Sequence, residues 1–212
     1  SVSITSSTSS IGIVAGAVES GTLTIGKLDM LGVKTLTVDA SSNDKPDQKN
    51  CNAGMLVGCV ADGAGLTIDA EITAPSGEIK SATYKNGNDP SAGAVVGKLG
   101  ISDKGTKAAI LVNNPINLSA LAVTGEISGG FVGRAGKVSL AFGGDASITP
   151  AKKLEATQAS GGLFGWIGTL SEDLGITSAN LKMPDGGISI KGGVSNKEKP
   201  GDRNLANAGG IF

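Results

Sequence analysis

INLSALAVTGEISGGFVGRAGKVSLAFGGDASI, residues 116–148, alternates apolar and polar residues in phrases that are bounded by glycine. Such alternation is typical of half-buried strands joined by tight turns. Val138 and Leu140 fall on one face of the second phrase, and Gly129-Gly130 is expected to mark a reversal between the two phrases. The stretch therefore predicts paired antiparallel strands, and the rest of the chain is interpreted around them.

The same alternation recurs along most of the chain and predicts an all-β fold, either an antiparallel β-sandwich or an irregular β-barrel. We expect at most one or two short helices, and the best candidate runs from Thr149 at the N-cap, through Pro150, to Gly161. Gly-Gly doublets recur at uneven intervals, which argues against a regular solenoid. Reversals between strands are expected at Met30-Leu31-Gly32, Asn86-Gly87 and Asp185-Gly186.

The chain has 212 residues, enough for one large all-β domain or two small ones. We interpret residues 1–15 as an extended N-terminal arm and residues 16–212 as a β-rich domain. An alternative is that this domain has two lobes that divide near residues 90–105. The start, Ser1, indicates that a leader was removed or that only the initiator Met was lost.

The composition excludes several classes of function. The chain contains no histidine, which removes Ser-His-Asp and Cys-His catalysis and histidine-based zinc sites. The net charge is −1, and Arg134 and Arg203 are the only arginines, so a nucleic-acid surface is not expected. We therefore predict a protein that is not an enzyme, has no catalytic residues and needs no cofactor.

Cys51 and Cys59 are the only cysteines, and the glycines between them allow the chain to fold back. This spacing predicts a short-loop disulfide, which favours an oxidising compartment. The alternative is two buried thiols in a reducing compartment.

Four further patterns resemble sites but are better explained as ordinary structure. A lysine-activated serine would need a helix, and a phosphate loop would need a final Ser or Thr. Carboxylate pairs lack aromatic neighbours for a sugar, and the oxygen-rich loops match no calcium motif, although calcium binding stays an alternative. In the order just given, these patterns are Ser42 to Lys45, Gly21 to Leu28, Asp69 with Glu71, and the loops 39–47 and 143–145.

The arm carries the feature that points most directly to a function. Val2 and Ile4, then Ile11 and Ile13, alternate with polar or small residues on either side of a Ser/Thr linker. A strand of this kind can complete a neighbouring subunit's sheet through backbone hydrogen bonds. The equal alternative is an edge strand paired within its own domain.

Large aromatic residues supply further interface candidates, each of which could also be a core residue. They are Phe164, Trp166 and Phe212.

Together these features predict a structural subunit that assembles with copies of itself into a filament, such as a pilus, or into a sheath or layer. The expected location is extracellular or on the cell surface, with strand exchange through the arm and no membrane span. One alternative is a virion protein, such as a tail-tube or capsid subunit. The other is a non-catalytic module that binds carbohydrate or calcium through the loops 39–50 and 196–204.

Overall fold

A computed structural model describes residues 1–6, 9–41, 51–82, 90–100, 102, 105–170, 179–192 and 207–209. All the regular secondary structure in these ranges is β-strand. The strands are β1 (Val2–Thr5), β2 (Ala15–Val18), β3 (Thr22–Ile25), β4 (Thr35–Ala40), β5 (Ala53–Gly54), β6 (Val57–Val60), β7 (Gly65–Ile68), β8 (Ile72–Thr73), β9 (Ser76–Ser81), β10 (Ser91–Gly93), β11 (Val96–Leu99), β12 (Ala108–Val112), β13 (Ile116–Asn117), β14 (Leu121–Gly129), β15 (Val132–Phe142), β16 (Ile148–Thr149), β17 (Lys153–Gly161), β18 (Phe164–Leu170), β19 (Ser189–Gly192) and β20 (Asn207–Gly209).

Every described ladder is parallel, and each strand pairs with the strand that lies one circuit of the chain away. The first sheet, for example, contains the series β1, β4, β9, β14, β17 and β19. A second sheet contains β2, β6, β11, β15 and β18, and β3, β7 and β12 also join it. The third sheet is β8, β13 and β16. The chain is therefore wound as a parallel β-solenoid, and we call each circuit a rung.

The antiparallel sandwich or barrel predicted from the sequence is wrong, although the all-β class is confirmed. Gly129-Gly130 is a corner between sheets and not a reversal, because β14 pairs with β9, β10 and β17 while β15 pairs with β11, β12 and β18. Asp185-Gly186 is likewise a connection between sheets. It follows Leu181, which pairs with Ile148, and it precedes β19 of the first sheet. Met30 to Gly32 connects two successive rungs. The Asn86-Gly87 turn lies outside the described residues.

Residues 121–149, from β14 to β16, form the fourth rung, and β13, at the start of the stretch 116–148, closes the third. β14 pairs with both β9 and β10, and residues 82–90 separate those two strands in the third rung. β15 in the same way spans β11 and β12, which residues 100–107 separate. The uneven spacing of the glycines therefore reflects loops of unequal length and is compatible with a solenoid.

The core lies inside the coil and is built from one face of each strand. The predicted alternation is confirmed in residues 65–72, where Leu66, Ile68, Ala70 and Ile72 are buried. In the fourth rung Val138 and Leu140 are buried, as expected. The core is mostly aliphatic, and its buried aromatic residues in the described part of the chain are Phe131 and Phe164.

The corner between the first and second sheets is lined by two columns of glycine. The first column contains Gly54, Gly93, Gly129, Gly161 and Gly209. The second column lies beside the first, in the second sheet. It contains Gly97, Gly133 and Gly165, which occupy equivalent positions on β11, β15 and β18. A Cβ on Gly129 would lie against the carbonyl oxygen of Val132 and 2.7 Å from the nitrogen of Gly165. Because backbone from two rungs meets at this corner, any side chain larger than hydrogen would force them apart.

The helix predicted from Thr149 to Gly161 is wrong, because these residues form strand β17 instead. Leu154, Ala156 and Ala159 are buried, and β17 pairs with β14 along its whole length. The register shifts by one residue between Gly125 and Ile127, so β17 bulges opposite Glu126. The bulge breaks the strict two-residue period, which explains why the alternation typical of a strand is lost here.

The ladders continue through β10 and β11, which pair with the rungs on both sides. No helix in the described part of the chain is long and apolar enough to cross a membrane.

Candidate assembly edge

The first rung forms one end of the solenoid and presents strand edges to solvent. Among the described strands, β1 pairs only with β4, β2 only with β6 and β3 only with β7. Ile11 adds a single bridge to Ala53 between β1 and β2. Parallel strands direct alternate backbone groups to opposite neighbours, so half of these groups face away from the protein.

The arm residues therefore lie in the first rung, with one side of the strand already paired. Ser6 donates a backbone hydrogen bond of 3.0 Å to the carbonyl oxygen of Asp39. By alternation, the N–H of Ile4 faces β4, whereas the N–H groups of Ser3 and Thr5 face outward. Strand β1 is thus an edge strand whose outer donors have no strand partner among the described residues.

Apolar side chains at this edge are incompletely covered. Val2 is 36% exposed, whereas Leu36, its partner in the next rung, is 1% exposed. Ile4 is half-buried and its partner Val38 is fully buried. Other half-buried apolar residues of the first rung are Ile13, Ala15, Val18 and Leu23. A further rung on this edge would bury them as the second rung buries its own core.

The three edge strands lack the charged residues and prolines that commonly protect an exposed edge. Their sequences are VSIT, AGAV and TLTI, which contain no charged residue and no proline. Natural edges are commonly protected by lysine, proline or bulges, and solenoid ends by a polar capping repeat. Strands further along the first sheet do carry charges, for example Asp39 in β4 and Lys80 in β9.

The outer face of the first sheet is charged and internally paired. Glu78 and Lys80 form an ion pair of 2.5 Å, and Glu155 and Lys191 form one of 3.3 Å. The hydrogen bond from Lys80 to Glu78 raises the pKa of Lys80. Since all four side chains are substantially exposed, these pairs give the face its polarity and add little stability.

An open groove of about 560 Å³ lies across the first residues of strands β4, β9, β14 and β17 in the first sheet. Its lining includes Thr37, Glu78 and Lys153 but no aromatic side chain. It therefore lacks the stacking surface that a carbohydrate site commonly uses.

The predicted disulfide is wrong, because Cys51 and Cys59 are not bonded to each other. Cys51 is buried in the core, whereas Cys59 lies on the outer face of β6 beside Ala17 and Lys98. The tight corner at Gly54 to Gly58 separates the two faces. Burial raises the pKa of the Cys59 thiol, and neighbouring Lys98 opposes this shift.

The predicted aromatic interface residues have different environments. Phe164 is 5% exposed and belongs to the core, while Trp166 is half-buried on the outer face of β18 beneath the guanidinium of Arg134. Phe212 lies outside the described residues.

Other sequence candidates do not form a site in the described part of the chain. Asp69 accepts a 2.6 Å hydrogen bond from the side chain of Asn113, while Glu71 is exposed. Gly21 to Leu28 contains strand β3. No group of three or more acidic, cysteine or histidine side chains among the described residues could hold a metal ion. Residues 42–50 and 196–204, including Ser42 and Lys45, lie outside the described ranges.

The sequence reasoning missed the repeat that builds the corner. It is Gly-x-x-x-Gly with mostly apolar residues between the glycines, and each copy begins a new pass from the first sheet to the second. The copies are GIVAG (12–16), GMLVG (54–58), GAVVG (93–97), GGFVG (129–133) and GGLFG (161–165). Aligning these five segments would have revealed the solenoid, whereas the doublets alone did not.

No protein-family model, no curated protein and no solved structure matches this chain.

Proposed function

We propose that this chain is a non-catalytic structural module that assembles with copies of itself through the open strand edges of its first rung. The observation that carries the proposal is the edge formed by VSIT, AGAV and TLTI, which has no charged residue and no proline. Backbone groups there supply affinity, and half-buried residues such as Ile4 supply apolar area.

A solenoid is suited to end-to-end growth because its two ends are different. Pairing of one end with the opposite end of a second copy is a heterologous contact, which repeats without closing and produces a filament. The glycine-lined corner holds the backbone of successive rungs in close contact within each module. A filament, sheath or layer is therefore the assembly that this architecture supports.

The extracellular or surface location predicted from the sequence stays part of the proposal, with a virion component as its alternative. It no longer draws support from a disulfide. Binding of carbohydrate or calcium is not favoured by any described feature, since the groove at Thr37 lacks aromatic lining.

The proposal is tested by measuring assembly of the wild-type chain and of two variants at Ser3. The N–H of Ser3 faces outward, so Ser3→Pro removes a donor from the open edge without removing a bond to β4. Ser3→Ala keeps the donor and serves as the matched control. Sedimentation velocity over a concentration series and negative-stain microscopy give the readouts.

We expect the wild type and Ser3→Ala to form oligomers or filaments and Ser3→Pro to remain monomeric, with closely similar circular dichroism spectra. A wild-type chain that stays monomeric at all concentrations would contradict the proposal. So would a Ser3→Pro variant that assembles as well as the wild type.

A further inference from the structure

One inward-facing column of the first sheet is buried in the middle and partly uncovered at both ends. Its members, in rung order, are Ile4, Val38, Ile79, Val123, Leu154 and Ile190. The four central residues are at most 2% exposed, while Ile4 and Ile190 are both half-buried. The first and last members therefore present matching aliphatic surfaces at opposite ends of the solenoid.

The neighbouring outward column carries a charge pattern that would continue across such a junction. It runs Thr5, Asp39, Lys80, Thr124, Glu155 and Lys191. If Thr5 of one copy follows Lys191 of another, the order becomes lysine, threonine, aspartate. This repeats the order lysine, threonine, glutamate already present from Lys80 to Glu155, so no like charges become neighbours.

The remaining columns are compatible with the same register. The column that contains Ser3 ends at Ser189, so two small polar residues would meet. The glycine column at the corner ends at Gly209, and Gly12 follows Ile11, which pairs with Ala53. Gly12 would then lie beside Gly209, where the close approach of successive rungs requires glycine.

On its far side, strand β19 carries no described ladder. It pairs only with β17 among the described strands, just as β1 pairs only with β4. A parallel strand added to β19 therefore extends the first sheet without displacing a described ladder.

We propose that β1 of one copy pairs in parallel with β19 of a second copy, with Ile4 beside Ile190, Ser3 beside Ser189 and Thr5 beside Lys191. The proposal rests on the proposed function, to which it adds the partner strand and the register. Each copy then contributes six successive strands to the continuous sheet. Equivalent residues of neighbouring copies are therefore six strand spacings apart, which gives an axial repeat of about 29 Å.

The register is tested by cysteine cross-linking of the full chain. Thr5→Cys and Lys191→Cys are combined in a background where Cys51 and Cys59 are replaced by alanine and serine, and a short bis-maleimide is added. Within one copy these positions are five strand spacings apart, so the reagent can join them only between copies. Each single-cysteine variant is a control, and Thr24→Cys with Lys191→Cys places a cysteine at the same end but on a different sheet.

We expect a ladder of covalent oligomers only in the Thr5→Cys/Lys191→Cys variant. Each cross-link joins two thiols, one from each of the two copies that meet at a junction. An equal ladder from the Thr24→Cys pair, or filaments without any ladder, would overturn the register while leaving self-assembly intact. Covalent dimers from the Thr5→Cys single variant would show that two copies pair head-to-head and not head-to-tail. Absence of oligomers by sedimentation in the wild type would overturn the proposed function itself.

Discussion

The guanidinium carbon of Arg134 lies 4.4 Å from the centre of the Trp166 ring, and the two residues are direct register partners on β15 and β18. The ring covers one face of the cation and the cation covers one face of the ring. Because the neighbouring strands fix both backbones, little ordering is needed to form the contact. The pair joins the fourth and fifth rungs on the outer face of the second sheet.

We expect a double-mutant cycle with Arg134→Ala and Trp166→Leu to give a coupling free energy of about 0.5–1 kcal/mol, the usual size of a cation–π contact at a partly exposed site. Denaturant unfolding followed by far-UV circular dichroism measures all four proteins. Arg134→Lys should retain part of the coupling because the charge remains. Strictly additive single-variant effects would show that the contact contributes nothing.

The glycine corner leads to a second prediction. Gly129→Ala should lower the free energy of unfolding by roughly 3 kcal/mol, because the added methyl group meets fixed backbone on two rungs. Gly26→Ala is the matched control, since a Cβ there has no neighbour within 4 Å. We expect the control to change stability by no more than about 0.5 kcal/mol. Equal midpoints of denaturant unfolding for the two variants would contradict the close approach at this corner.

The alternation of apolar residues was enough to predict strands and their buried faces, as at Leu66 and Ile68. It could not distinguish a parallel solenoid from an antiparallel sandwich, because a strand in either fold can bury alternate side chains. The two folds differ in the direction that the chain takes after each strand. Gly129-Gly130 has the composition of a tight reversal, yet here the chain turns a corner and continues around the coil.

Glu126 leads to a third prediction, which concerns pH. Its side chain is 6% exposed, and its Oε2 atom has no hydrogen-bond partner among the described residues. Burial raises the pKa of this carboxyl to about 7. The folded state therefore favours the protonated form, so the contribution of this group to stability is greatest below the unfolded pKa and is lost as the pH rises through about 7.

We expect the wild type to be less stable at pH 8 than at pH 5, with roughly 2–3 kcal/mol of this difference due to Glu126. Glu126→Gln should lose that part of the pH dependence, because glutamine stays neutral throughout. Glu71→Gln, at an exposed position, should keep the wild-type profile. The measurement is the unfolding free energy from denaturant titrations at several pH values, and an unchanged profile in Glu126→Gln would disprove the assignment.

The cysteines give a fourth prediction. Ellman's reagent should detect two thiols per chain after unfolding without reductant, and the thermal midpoint should not change on reduction. In the native state Cys51 should not react because it is buried, and Cys59 should react slowly because its raised pKa lowers the thiolate fraction. Detection of no thiols in the unfolded, unreduced protein would mean that the pair is oxidised after all.

The candidate assembly edge was only partly predictable for similar reasons. The alternation of Val2 and Ile4 identified a strand with an apolar face, but which edge of it is paired depends on β4, whose residues lie 34 positions further along the chain. Strand β4, which pairs with β1, has an ordinary composition, and nothing in its local sequence identifies it as the partner of β1. Ile190 at the opposite end could be matched to Ile4 only after the ladders between them were known.

The fourth rung shows two points of the circuit at which the third rung carries extra residues between its described strands. Residues 82–90 and 100–107 occupy such positions in the third rung, and the fourth rung passes the same points with continuous strands. These extra segments lengthen the chain but leave the pairing of the flanking strands intact. The fold can therefore carry added segments at the side of the coil without altering the vertical order of its strands.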